Sequence, residues 1–317
     1  FVAVVLAALP SAGQSTGVSP RFAEARQSAQ RLSRLHTLLV SRRGEVVFEY
    51  YARGQAPTRL ANIKSASKSL ISALVGIAID RKLIASVREP IVGWFPELRR
   101  DPDPRKARIT IEDLLTMRSG LETTSNRNYG KWVTSPNWIS FALTRKLVDE
   151  PGGMMQYSTG STHLLSAILS RVSRSTTWQF AQASLGKPLG FSIAQWPRDP
   201  QGIYFGGNDM LLTPKQMLAF GEMYLNNGHA NGQQVVPASW VGESCVPRTM
   251  SRFDAGREYG YGWWIDDVGR HTACYAWGYG GQYVFVFKDL RAVVVATSST
   301  DVGEERRGYR QDLLDLI

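Results

Sequence analysis

The sequence predicts an α+β fold. Strands from both ends of the chain form one antiparallel sheet flanked by helices, and a helical lobe is inserted between them. Three observations carry this. Runs rich in β-branched and aromatic residues lie near both ends of the chain. The middle, about residues 82–240, carries apolar residues at helical spacing behind recognisable caps. With 317 residues and 43% apolar content, the chain can bury a sizeable core. One sheet built from both strand groups buries each of them and leaves the helices to cover it. A site is then expected in the cleft where lobe meets sheet.

The chain opens on an apolar run, Phe1 to Leu9, followed by Pro10, small Ser11-Ala12-Gly13 and polar Gln14-Ser15-Thr16. This reads as the h-region and cleavage site of a secretory signal, clipped at its start, since Met and a basic n-region are missing. Residues 1–20 are then signal and linker, residues 21–317 one domain, and the protein is exported, periplasmic or secreted. The alternative is a buried N-terminal strand and a cytoplasmic protein. The run is too short to span a bilayer, as is every later stretch, so no stable membrane anchor is expected beyond it.

Thr37–Ser41 and Glu45–Tyr51 flank Arg42-Arg43-Gly44 and predict a hairpin. A helix from Ser65 follows, apolar nearly all round through Ile79, hence central and buried. Thr110 caps a helix that closes at Ser119-Gly120. Asn137–Thr144 is amphipathic, and Thr162–Val172 is apolar at helical spacing. Thr213 with Pro214 opens a helix ended by Asn226-Asn227-Gly228. A short helix begins at Pro237. Strands are then predicted at Tyr259–Ile265, Thr272–Trp277, Gln282–Phe287 and Ala292–Thr297, with a closing helix from Glu304 to Ile317.

Composition excludes some functions. Net charge is +10, but the arginines are scattered rather than gathered into a stripe, so a nucleic-acid partner is not expected. The two cysteines, Cys245 and Cys274, and four separated histidines make no metal site, and no cofactor is expected. Two free, half-buried thiols are expected, although export would allow them to pair. The sequence does not set the oligomeric state.

The chemistry is carried by Ser65-Ala-Ser-Lys68. A serine hydroxyl is a poor nucleophile unless a base takes its proton. Residues i and i+3 share a helix face, so Lys68 reaches Ser65. A helix N-terminus offers free N–H groups and a positive dipole end to an oxyanion. Burial lowers the lysine pKa toward the neutral, basic form. A second S-x-x-K, Ser184 to Lys187, is discounted because Gly186 and Pro188 argue against a helix there. Gly190-Phe-Ser192-Ile-Ala194 is no nucleophile elbow, since Trp196-Pro197 stops a following helix. Tyr157, after the Pro151-Gly152 turn and ahead of a helix, is a candidate second proton carrier, or else a packed lobe tyrosine. Trp277-Gly-Tyr279-Gly280-Gly281-Gln282 enters a strand. Its glycines allow close approach to a ligand, or serve only a tight turn.

Together, Ser65-x-x-Lys68, Ile111-x-x-Leu-Leu-Thr-Met-x-Ser-Gly-Leu121, Tyr157-Ser-Thr159, Leu212-Thr-Pro to Tyr224-Leu225 and Gly278-Tyr-Gly-Gly-Gln282 resemble the serine β-lactamase and penicillin-binding-protein superfamily. The resemblance runs from about Arg34 to Thr300, to the class C-like branch with its carboxylesterases, D-alanyl-D-alanine carboxypeptidases and 6-aminohexanoate-dimer hydrolases. It implies a β-lactamase/transpeptidase-like fold and an acyl-enzyme on Ser65. Lys68 and Tyr157 would move protons, and the amides of Ser65 and Gln282 would hold the oxyanion. Tyr157-Ser-Thr159 departs from the family's Tyr-x-Asn, and Tyr279 replaces its Lys or His. The second departure turns the expected substrate away from β-lactams and peptides toward small-molecule carboxylic esters or linear amides. A weak β-lactamase or carboxypeptidase is the alternative, and a non-catalytic binding module on the same fold is another. Tyr279, Gly280, Gly281, Tyr129, Trp132 and Asn208 are the candidate substrate contacts, with Tyr129 and Trp132 on a loop from Ser125 to Ser135. Of Trp263 and Trp264, strand alternation is expected to bury only one.

Overall fold

The computed structural model describes residues 22–252, 256–302 and 306–317, with side chains of the last stretch from residue 308. The expected signal segment lies outside the described residues. Helix α1 (Ala23–Arg31) precedes the hairpin of β1 (Leu35–Arg42) and β2 (Glu45–Tyr51). Strand β3 (Ala61–Asn62) and a 3-10 turn (Lys64–Ala66) lead into α2 (Ser67–Asp80). The lobe follows with α3 (Ile111–Leu115), α4 (Tyr129–Val133), α5 (Trp138–Leu143), α6 (Thr159–Ser173) and α7 (Thr177–Ala181). After β4 (Leu211–Leu212) come α8 (Pro214–Leu225), β5 (His229–Ala230), β6 (Gln233–Gln234) and α9 (Ala238–Ser244). The chain then returns through β7 (Thr249–Met250), β8 (Glu258–Tyr259), β9 (Trp264–Val268), β10 (His271–Gly278), β11 (Gln282–Phe287) and β12 (Ala292–Ser298), and α10 (Arg306–Leu316) closes it.

The main sheet has eight strands in the order β2-β1-β12-β11-β10-β9-β8-β7. Strand β1 lies antiparallel on β12, from Leu35 opposite Ser298 to Arg42 opposite Ala292. The N-terminal hairpin thus joins the C-terminal strands in one antiparallel sheet, as predicted. Every residue of β11 and β12 is buried. Val284, Val286, Val293 and Val295 face the core that holds α2 and α8. Phe285, Phe287, Val294 and Ala296 face a second core with Tyr309 and Leu313 of α10. Helices therefore cover both faces, and strand alternation distributes side chains between two cores instead of exposing one set.

That explains one correction. Trp263 (0% exposed) and Trp264 (5% exposed) are both buried, one in each core. The single strand expected over Tyr259–Ile265 is also two strands, β8 and β9, joined through a turn in which Gly262 has φ +74°. The Gly262 N–H reaches the Leu115 carbonyl at 3.2 Å, which takes this stretch out of the ladder.

Helix caps were legible. Thr110 and Thr213 both form capping boxes, with Asp113 and Gln216, and Asn137 accepts from the Ser140 N–H. Helix α3 stops earlier than expected, before Met117, which has φ +61°. The expected loop from Ser125 to Ser135 holds a 3-10 turn and α4. The stretch Gln182–Gly186, set aside as non-helical, is a π-helical turn continuing α7. Even so, the second S-x-x-K makes no catalytic pair. Ser184 accepts from Arg81 at 2.9 Å, and Lys187 is exposed.

The two cysteines are not free thiols but a disulfide, Cys245–Cys274, with Cα atoms 5.8 Å apart. Cys245 follows α9 and Cys274 lies on β10, so tertiary packing alone brings them together. A bridge closing 29 residues stabilises by about 3–4 kcal/mol in the chain-entropy account. The Cys245→Ala/Cys274→Ala variant should therefore lose that much in urea-unfolding free energy. An unchanged midpoint would show the bridge to be energetically idle.

Candidate functional site

The site is assembled where α2, α6 and the strap 206–209 meet the end of β10. Its nucleophile candidate, Ser65, sits in the 3-10 turn just ahead of α2. That turn is held on all sides. β3 pairs with β4 through Asn62 and Leu211, and Ser67 Oγ donates to the Lys64 carbonyl while accepting from the Met210 N–H. Lys64 and Asp209 both have left-handed backbones, φ +49° and +62°, and form an ion pair at 2.9 Å. Asn62 joins them by donating to Asp209 at 2.9 Å. Two non-glycine residues at positive φ beside the nucleophile mark backbone strain held by its surroundings.

Lys68 lies one turn on and is 1% exposed, inside the molecule. Its Nζ is 3.0 Å from Ser65 Oγ, 2.6 Å from the Gly207 carbonyl and 3.3 Å from Thr159 Oγ1. Burial pulls its pKa down to about 7 from an ordinary 10.5, against the opposing pull of Asp209. A neutral amine has two hydrogens and one lone pair. The Gly207 carbonyl takes one hydrogen, which leaves the lone pair able to face Ser65 O–H. Gly207 has to be glycine, because a Cβ there would lie 2.1 Å from Thr162 Oγ1.

Tyr157 lies two residues ahead of α6, half-buried, with its ring 5.0 Å from Lys68 Nζ and stacked on Trp264. Burial pushes its phenol up to about 12, opposed by a hydrogen bond with Ser65. Ser65 and Lys68, and Tyr157 from far along the chain, therefore meet at one point. Thr159, where Asn was expected, still touches Lys68, and its hydroxyl is 3.0 Å from Ser125 Oγ.

A cavity of about 630 Å³ opens on this point, lined by Ser65, Tyr157 and Thr159 and walled by Tyr129, Trp264, Trp277 and Tyr279. Asn208 lines it too and donates to the Tyr129 hydroxyl at 3.0 Å. Lys64 and Arg257 also line it, and no carboxylate does among the described residues. Sequence reasoning missed Lys64, Ser125, Asn126, Ser251 and Arg257 as cavity residues. Only the adjacency of Lys64 to Ser65 was a signal.

Four candidates are corrected. Trp132 is wholly buried, packed edge-on against His163 and Phe205 and donating to the Trp138 carbonyl, so it supports the lobe and does not line the cavity. Gly280 and Gly281 pack against Ser299 and Ser298 rather than against the cavity. Gln282 is 1% exposed, with its side chain tied to the Ser298 backbone at 2.7 Å. The strand end that meets the turn of Ser65 is Gly278, where a Cβ would lie 2.0 Å from the Ile63 carbonyl oxygen. The amide neighbouring the cavity is therefore at Gly278–Tyr279, not Gln282.

The Beta-lactamase family model matches residues 23–317. The 6-aminohexanoate-dimer hydrolase of Paenarthrobacter ureafaciens is 27% identical over 223 residues, 64% of this chain and 55% of that protein. The chain thus spans about half the length of this relative. Among solved structures, EstCE1, a hydrolase with promiscuous acyltransferase activity, superposes with a TM-score of 0.75 at 17% identity, over 94% of this chain and 98% of that one. The D-amino acid amidase of Ochrobactrum anthropi SV3 superposes at 0.71 and 16% identity, over 92% and 98%. At such identities these structures speak for the fold alone.

Proposed function

This chain belongs to the Beta-lactamase family, and on that premise we propose that it is a serine hydrolase cleaving carboxylic esters or linear amides through an acyl-enzyme on Ser65. One observation carries the reading: a buried lysine drawn to about pH 7 lies 3.0 Å from a serine hydroxyl at the mouth of a cavity. The ester and amide preference is supported by the aromatic side chains of Tyr129, Trp264, Trp277 and Tyr279 that wall the cavity. The names of the curated relative and of two structural neighbours point the same way.

In the proposed reaction, Lys68 takes the Ser65 proton as the oxygen bonds to the substrate carbonyl carbon. The amides at Ser65 and at the Gly278–Tyr279 strand end face the resulting oxyanion. As the carbonyl re-forms and the bond to the leaving group breaks, the Tyr157 phenol protonates that group and is reprotonated by the Lys68 ammonium. Water then attacks the acyl-enzyme, giving its proton back along the same path and releasing the acid. The aromatic walls suit an apolar acyl chain. We place the enzyme in an oxidising compartment, outside the cytosol, as the disulfide favours.

Two measurements test this. A fluorophosphonate probe should modify the protein at Ser65, mapped by peptide mass spectrometry; label elsewhere or none would overturn the nucleophile. Turnover of p-nitrophenyl butyrate should exceed that of nitrocefin. The reverse order would make it a β-lactamase first. The pH dependence follows from the sign of the lysine shift. Lys68 must be neutral to act, so kcat/KM should rise with pH through about 7. A profile flat from pH 5.5 to 8.5 would mean that another group is the base.

A further inference from the structure

We propose that the buried pair His163–Asp199 is a positioning device that sets the Gly206–Gly207 strap and through it orients Lys68. This rests on Lys68 being the base, as proposed above. Both side chains are 0% exposed, and His163 Nε2 lies 2.9 Å from Asp199 Oδ2. The other ring nitrogen, Nδ1, accepts from the Gly206 N–H at 3.4 Å. A ring nitrogen that accepts is bare, so the proton sits on Nε2 and is donated to the carboxylate. Asp199 Oδ1 accepts from the Gln201 and Ile203 N–H groups, both at 2.8 Å, which holds the carboxylate in place. Trp138 and Phe205 pack on the imidazole and fix its plane.

The strap leads directly to the base. Gly206 and Gly207 lie so close on the first turn of α6 that a Cβ would come within 2.2 Å of the Thr162 carbonyl oxygen or 2.1 Å of its hydroxyl. The Gly207 carbonyl then receives Lys68 Nζ at 2.6 Å. Apolar residues would stabilise such an interior at lower desolvation cost than a buried, polar His–Asp pair. Its chemistry instead enforces one tautomer, the one whose Nδ1 receives the strap. The groups that face Lys68 directly are Ser65, Thr159, the Tyr157 ring and, at longer range, Asp209 with its partner Lys64. Substitutions at 163 and 199 leave all of these chemically unchanged.

The test is the rate of Ser65 modification by a fluorophosphonate across pH 5–9, with folding followed by circular dichroism melts. In Asp199→Asn the new amide N–H points a donor at Nε2 and moves the ring proton to Nδ1, against the Gly206 N–H. In His163→Gln the acceptor for Gly206 is lost. Each should lower the plateau rate about tenfold or more by misplacing the amine. Each should also move the acid limb down by about half a pH unit, because a carbonyl acceptor favours the charged amine. His163→Asn restores an acceptor near the Nδ1 position and should recover a substantial part of the rate, so the Gln/Asn contrast decides the matter if Asp199→Asn does not fold. Lowered melting temperatures with the limb in place and no Gln/Asn contrast would overturn the proposal, leaving a structural pair. A wild-type protein that takes no label at Ser65 would instead overturn the proposed function, and this inference with it.

Discussion

Replacing Lys68 with Met should lower kcat/KM for a short-chain ester by roughly 10³–10⁴-fold, the scale of losing a member of a nucleophile–base unit. Lys68 Nζ lies within hydrogen-bond reach of Ser65 Oγ, at 3.0 Å. Tyr157, with its phenol pushed up to about 12, holds its proton too tightly to replace it. Met fills a similar volume, so the loss should appear in the acylation step rather than in folding. The stability effect has the opposite sign. Folded Lys68 titrates near 7 and unfolded lysine near 10.5, so the unfolded chain binds the extra proton between those values. Wild-type stability should therefore fall as pH drops from about 10.5 to about 7 and stay low below that. Lys68→Met escapes this cost and should be the more stable protein at pH 6. Urea unfolding at pH 6 and pH 10 checks the sign. A variant less stable at pH 6 than wild type, or a rate loss under about tenfold, would refute the buried-base account.

Replacing Tyr157 with Phe should lower kcat by roughly 10²–10³-fold, within the range for a lost general acid. The ring stays stacked on Trp264, so the change removes only the hydroxyl that bonds Ser65. Leaving groups differ in how much they need a proton. The loss should be largest for alkyl amides, whose amine departs poorly unprotonated. It should be smallest for p-nitrophenyl esters, whose phenolate leaves unaided. Equal losses on both substrate types would show that Tyr157 positions Ser65 and does not protonate the leaving group.

The parts of the site legible in the sequence were those set by local rules. Ser65 and Lys68 are three residues apart on a helix whose apolar surround guaranteed burial, and burial is what draws the lysine down. The threonine caps at Thr110 and Thr213 were readable because a cap is satisfied within four residues. What misled was the environment. Trp132 looked like a cleft aromatic on a polar loop, yet it packs into a lobe cluster with His163 and Phe205 from distant positions. Gly280 and Gly281 looked like a ligand approach, yet they fit against the end of β12.

By itself, the sequence determined the architecture and singled out the proposed nucleophile and its proposed base. Period-2 and period-3.6 patterns, caps and an i, i+3 pair depend on contacts close along the chain. Only the tertiary structure decided what surrounds them. It joined Cys245 to Cys274, buried both Trp263 and Trp264 by covering the sheet twice, and brought the Gly207 carbonyl onto Lys68. Each of these depends on which distant segments share a volume, and close packing of helices on a sheet sets that rather than residue spacing.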